Sequence, residues 1–150
     1  MSTYKSIHDL LRATAQGLPL SNTFRHGLKD DINVFHDGGF PLIWLWPMVR
    51  TGSFIGNTNR MNLTYQVRLF FLNQDTMDST PEQQLKVLQA MDSALEQYLI
   101  DLNQTALGYD DVTITSLSIE PVFRDNSYLA TGHLVRFNLT VPDTFDYCCD

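Results

Sequence analysis

Hydrophobic and polar residues alternate from Leu63 to Phe71, where Leu63, Tyr65, Val67, Leu69 and Phe71 take every second position. Alternate side chains of an extended chain point to opposite faces, so the run predicts a β-strand over Asn62–Leu72. Phe70 adds an apolar group to the other face. Asn73-Gln74-Asp75 breaks the pattern. Apolar residues then return at helical spacing: Leu85, Leu88, Met91, Leu95, Leu99 and Leu102. Thr80 at the cap, Pro81 at the first helical position and Gln83 completing a capping box predict where this helix starts. Leu107-Gly108 ends it.

The flanking segments predict further elements. Ser6-Ile7-His8-Asp9 has capping-box spacing, and Ile7, Leu10, Leu11 and Ala15 form the stripe of a short helix that starts there or a few residues earlier, near Thr3, and that Gly17 and Pro19 stop. Leu18 to Asp31 reads as a surface loop with a helical turn near Leu28. Ile32–His36 reads as a short strand, and Asp37-Gly38-Gly39 as a turn. Phe40 to Pro47 is apolar on both faces, the mark of a strand covered on both sides, with Pro41 and Pro47 at its ends. Arg50 to Arg60 is rich in turn formers and reads as a long connection between antiparallel strands. Val112, Ile114 and Leu117, Ile119 are two half-patterns that a bulge near Thr115-Ser116 brings into phase. Extended chain continues through Glu120-Pro121-Val122-Phe123 to a hairpin turn at Arg124–Ser127. The last strand buries Thr131, His133, Val135, Phe137, Leu139 and Val141, and Pro142 closes it. Asp143–Asp150 reads as a flexible acidic, aromatic tail.

These elements make one α+β domain over residues 1–150. The expected sheet is mixed, mainly antiparallel, of about four to five strands, with one long helix and a short N-terminal helix packed on it. A 43% hydrophobic composition is enough to fill such a core. Net charge is -7, which disfavours a bulk-electrostatic grip on nucleic acid but leaves room for a small basic patch around Arg50 and Arg60. The N-terminal segment lacks the apolar core of a signal peptide, and Phe40–Val49 is too short to span a bilayer. The expectation is therefore synthesis in the cytoplasm and no membrane partner. The Asn-x-Ser/Thr triplets at Asn62, Asn103 and Asn138 are then chance matches. Cys148 and Cys149 are adjacent, so they read as free thiols that staple nothing.

Little in the chain resembles reactive chemistry. His8, His26, His36 and His133 make no metal-ligand spacing with one another, and no cofactor motif is present. His36-Asp37 is a poor acid–base pair, because neighbours on a strand point apart. His133 falls on an apolar face and reads as a hydrogen-bonded core histidine. Asp30-Asp31 and Asp110-Asp111 read as solvated turn residues. Gly38-Gly39 lacks the residues of a phosphate loop, and no nucleophile elbow occurs. Trp44 and Trp46 share a face and read as core. Catalytic, cofactor-binding and metal-binding residues are all expected to be absent.

The order of elements resembles the tail-terminator, or tail-completion, proteins of long-tailed bacteriophages. The matching segments are SIHDLLRATAQG, FPLIWLWP, LTYQVRLFFLNQD leading into STPEQQLKVLQAMDSALEQYLIDL, and LATGHLVRFNLTVP. The Arg50–Arg60 loop and the Asp143–Asp150 tail depart from the family pattern. The resemblance implies a non-enzymatic neck protein of the virion, made in the host cytoplasm. It implies a homo-oligomer, usually a hexameric ring, that caps the tail tube and ends its polymerisation. Its partners would be the tail tube protein and a head-side connector protein, with DNA passing through the lumen without specific binding. Phe54, Ile55, Arg50 and Arg60 of the loop, with Phe145 and Tyr147 of the tail, are the expected contact residues. Two rival readings stand beside it: another head–tail connector, adaptor or stopper, and a small α+β ligand-binding domain or enzyme of ferredoxin-like shape.

Overall fold

The computed structural model describes residues 4–20, 22–27, 40–74, 80–122, 130–145 and 147. The expected strand at Ile32–His36, the turns at Asp37–Gly39 and Arg124–Ser127, the helical turn at Leu28 and the Cys148-Cys149 pair lie outside the described residues. In chain order the elements are α1 (Tyr4–Gln16), β1 (Thr23–His26), β2 (Leu42–Leu45), β3 (Val49–Phe54), β4 (Met61–Gln74), α2 (Pro81–Leu107), β5 (Thr113–Val122) and β6 (Ala130–Pro142). The fold is α+β, as its period changes imply, and among the described residues six strands form one mixed sheet of order β1-β2-β4-β6-β5, with β3 pairing β4. β1 and β2 are parallel, and every other pairing is antiparallel.

β4 is the spine of the sheet. One flank pairs with β6 along its whole length, from Asn62 opposite Pro142 to Gln74 opposite Ala130. Its other flank is shared: Leu69–Leu72 pair with β2, and Met61–Gln66 pair with β3. β2 and β3 are thus two halves of one edge, separated by Trp46-Pro47-Met48. Pro47 has no N–H to give the ladder, so the break falls where the chemistry requires it.

Both helices cover one face. Leu63, Tyr65, Val67, Leu69 and Phe71 of β4, with Val135, Phe137, Leu139 and Val141 of β6, join Ile7, Leu10 and Leu11 of α1 and Met91, Leu95, Tyr98 and Leu102 of α2 in the main core. The opposite face carries a second apolar cluster of Leu42, Trp44, Phe70, Leu72 and Leu134. This explains why Phe70 interrupts the polar face of β4, and why β2 is buried at all four positions. Trp46 stacks on Phe70, and the Arg68 guanidinium lies 4.1 Å from the Trp46 ring centre.

α2 begins as its cap chemistry dictates. The Gln83 amide donates to Thr80 Oγ1 at 3.3 Å, and the Thr80 amide donates to Gln83 Oε1 at 2.9 Å. Its 27 residues run about 40 Å. The buried stripe shifts from the expected one: Leu85 is 63% exposed, whereas Tyr98 and Ala106 are buried. The β5 bulge is present: Thr115 faces Asn138 and Ser118 faces Arg136, so Ser116 and Leu117 oppose Phe137 alone. Ser116 has φ +57, the conformation that lets the extra residue fit.

Four expectations need correction. α1 starts at Tyr4 and Ser6 is inside it, so Ser6-Ile7-His8-Asp9 is not a capping box. Instead Asp9 accepts from Lys5 and Arg12 along the helix. Leu18–Asp31 is not wholly loop, because Thr23–His26 adds a short parallel strand to β2. Four residues carry too little alternation to signal a strand. Arg50–Arg60 is not all connection either. It is strand through Phe54, and the turn is confined to Ile55–Arg60, closed by the Ile55 amide donating to the Arg60 carbonyl at 2.8 Å. The start of the tail is packed rather than loose: Phe145 is 4% exposed and lies in the main core.

Candidate functional site

Four of the six expected contact residues gather on one feature, the β3–β4 hairpin. Every residue of β3 is exposed. Register with β4 sets which way each one faces. Arg50 is opposite Tyr65, Gly52 opposite Leu63 and Phe54 opposite Met61, so these three lie on the helix-bearing face of the sheet. The helices do not reach this far, and a groove of about 910 Å3 is left open. Arg50, Gly52, Phe54, Met61, Leu63 and Asp143 are among its lining residues. A Cβ at Gly52 would come within 3.0 Å of Leu63 Cδ2, so glycine keeps this floor shallow. Phe54 is 67% exposed at the rim and Ile55 is 42% exposed beside it.

Asp143 ties the C-terminal segment to this hairpin. Its amide donates to the Met61 carbonyl at 2.9 Å, and its Oδ2 accepts from the Met61 amide at 3.1 Å. Arg60 Nε lies 3.9 Å from Asp143 Oδ1, and Arg60 Nη2 donates to Thr144 Oγ1 at 3.4 Å. The two other expected anchors take different places. Phe145 meets the Tyr109 ring edge-on at 5.0 Å. Tyr147 is half-buried against the main core. Aromatic residues in a polar segment look alike in sequence whether they dock on a partner or on their own domain.

Charge is unevenly divided around the fold. From Phe40 to Gln74 the only charged side chains are Arg50, Arg60 and Arg68. From Thr80 to Val122 the only cation is Lys86, against Glu82, Asp92, Glu96, Asp101, Asp110, Asp111 and Glu120. Over this span the negative charge sits on α2 and the Asp110-Asp111 turn that follows it, with Glu120 the one acidic residue of β5. Glu120 pairs with Arg136 at 3.1 Å, an exposed contact worth little by itself.

A second cluster was not expected. His8 on α1 and His26 at the end of β1 face one another, Nε2 to Nδ1, at 3.1 Å. Asp9 Oδ1 is 3.4 Å from His8 Nδ1. A carboxylate only accepts, so Nδ1 of neutral His8 carries the proton, Nε2 accepts, and His26 donates. Burial pushes the His8 pKa below its usual value, and His26 and Arg12 push the same way against the Asp9 hydrogen bond. The Lys5 hydrogen bond holds the Asp9 carboxyl below its usual range. These groups border a cavity of about 520 Å3 whose lining includes Arg12, Gln16, Asn22 and Arg25. Eighteen residues separate the histidines in sequence, and β1 went unread, so no spacing signalled the pair.

His133 behaves as a core histidine: Nε2 donates to the Leu88 carbonyl at 3.0 Å, which joins β6 to α2. Trp44 is buried, with its indole N–H donating to the Gly27 carbonyl at 3.0 Å. Among the described residues no three His, Cys, Asp or Glu side chains converge as metal ligands, and no helix is long and apolar enough to cross a membrane. A scan against protein-family models finds no match, and a search of curated proteins finds none either.

Proposed function

We propose that this protein is a structural protein of a long-tailed phage virion, acting through contacts rather than catalysis. In this reading copies assemble into a ring that caps the tail tube, ends its polymerisation and joins tail to head. The observation that carries it is the exposed hairpin. Phe54 and Ile55 sit in solvent beside an open groove whose lining mixes Met61 and Leu63 with Arg50 and Asp143. Solvent-exposed aromatic and aliphatic side chains around a groove are what an interface uses. The partners are further copies of the chain, the tail tube protein and a head-side connector protein, with DNA passing through the lumen. The same surface suits an adaptor or stopper, which would bind the portal side instead.

The test is removal of the protein during phage assembly, with tail lengths measured by electron microscopy. Tails of uncontrolled length are expected, and a normal length distribution sinks the reading. Binding of the purified protein to tail tube protein, but not to portal-side proteins, separates terminator from connector.

One observation favours a second reading, a ligand-binding domain. The His8–His26 cavity has convergent polar groups, a feature expected of a small-molecule site. A strict monomer that binds a small anion there, with loss on Arg12→Ala, supports that alternative.

A further inference from the structure

The inference drawn here rests on the ring reading and concerns which surfaces meet. The two ends of the sheet carry complementary chemistry. At one end is the groove of β3 and β4, lined by Phe54, Met61 and Leu63 together with Arg50 and Asp143, with Arg60 lying against Asp143. At the other end β5 exposes Leu117 at 51% and Ile119 at 43%. Ile119 faces Val135, two residues beyond His133, which bonds to Leu88 of α2. Ile119 therefore lies level with the Asp92 turn of the helix, where Asp92 and Glu96 are exposed. Asp92 and Glu96 border the Ile119 side of this apolar ridge, while Glu120 points to the other face of the sheet and pairs with Arg136.

We propose that copies associate head to tail, the acidic ridge of α2 and β5 from one copy seated in the basic groove of the β3–β4 hairpin of the next. Charge selects this arrangement. Asp143 offsets one of the two arginines, so groove against groove would set a net positive charge against its own copy, and ridge against ridge would bring Asp92 and Glu96 together. Both symmetric pairings place like charges face to face, which costs affinity, whereas the head-to-tail pairing places opposite charges together. Strand direction agrees. Because β3, β4, β6 and β5 alternate antiparallel, a copy added in the same orientation sets β5 antiparallel to the next β3. Pro121 and the Ser116–Leu117 bulge interrupt the β5 edge, so side chains rather than an extended ladder carry the contact. A head-to-tail contact is heterologous: it closes into a ring when the rotation per step divides the circle, and otherwise runs on as a filament.

A charge-swap experiment tests this on the full chain. One variant, R50E/N59E, makes the groove acidic without touching Arg60 or Asp143. The other, D92K/E96K, makes the ridge basic. Circular dichroism and melting of each variant establish that it folds. Light scattering and negative-stain imaging then follow wild type, each variant alone, and an equal mixture. Wild type should assemble, each variant alone should associate at least about tenfold more weakly, and the mixture should assemble again. Two results overturn the proposal: folded variants that assemble as wild type does, or a mixture that stays dissociated. A wild type that is monomeric at every concentration overturns it too. The tail-length assay is independent of all these outcomes, so rings that ignore the charge swap would sink the head-to-tail contact while leaving the terminator reading intact.

Discussion

Tyr98 Oη donates a 3.0 Å hydrogen bond to the backbone carbonyl of Leu11, linking α2 to α1 through a fully buried phenol. Burial pushes the Tyr98 pKa up, so the hydroxyl stays protonated and remains a donor. The ring also meets Phe71 edge-on at 5.2 Å. Tyr98→Phe keeps the ring and removes this bond, while the Leu11 carbonyl stays in the α1 ladder. It should destabilise the fold by about 0.5–1.5 kcal/mol in urea denaturation. An unchanged midpoint would show that the hydroxyl contributes nothing net to holding α2 on α1.

The His8–His26 pair makes stability depend on pH. Burial, His26 and Arg12 lower the His8 pKa in the fold from its usual value of 6.5, while the Asp9 hydrogen bond works against them. Lys5 and Arg12 face the same carboxylate, and Arg25 lines the same cavity. Below 6.5 the unfolded chain takes up a proton that the folded chain resists, so the unfolded state binds more protons and stability falls with pH. The contribution is complete above 6.5 and is lost as pH drops toward the lowered value. Melting temperature should therefore decline on going from about pH 7 to about pH 5.5, and His8→Gln should flatten that part of the profile. Asp9 adds a separate loss at lower pH, as its carboxyl, held low by Lys5, is protonated.

Phe145 and Phe54 should respond oppositely to truncation. Phe145→Ala empties a core position and should cost about 3 kcal/mol or more. Phe54→Ala removes an exposed ring and should change stability by no more than about 0.5 kcal/mol. Its effect belongs to assembly, which should weaken. Paired denaturation and light-scattering measurements separate the two.

Gly132 permits the closest approach of β6 to β4. A Cβ there would overlap the Phe71 carbonyl, with Leu72 Cα at 3.0 Å, and all of these atoms are backbone. Gly132→Ala should cost roughly 3 kcal/mol or prevent folding. Gly56 differs: a Cβ meets nothing there, but φ is +55. Gly56→Ala should cost only about 1 kcal/mol. Comparing the two melting points tests whether overlap or backbone conformation dominates.

Much of this fold is legible in the residues, because the strongest patterns are long. β4 and β6 alternate over many positions, and α2 announces both its cap and its stripe. The bulge was readable because two apolar half-patterns were one residue out of step. Short or exposed elements left weaker marks. β1 is only four residues with one buried side chain, Phe24. β3 is exposed throughout, so burial imposed no alternation on it, and its Thr-Gly-Ser content looked like a loop. Arg50, Phe54, Ile55 and Arg60 were still placed together, since apolar residues in a polar segment stand out whatever its backbone does. Phe145 stood out in the same way and proved to be core. The His8–His26 pair had no local signal, because it depends on where α1 sits against β1.

The continuity of β4 has a mechanical consequence. A strand of fourteen residues, about 45 Å long, carries β3 along its first half while its Leu63 and Tyr65 already belong to the core. It is laced to β6 from Asn62 to Gln74 without interruption. The hairpin therefore lies flat on a braced strand and has no hinge at its base. Tension applied at Phe54 along the strand loads the rungs from Val49 to Phe54 in parallel, as shear, instead of opening them one by one. A neighbour gripping this groove would hold the core through a stiff joint.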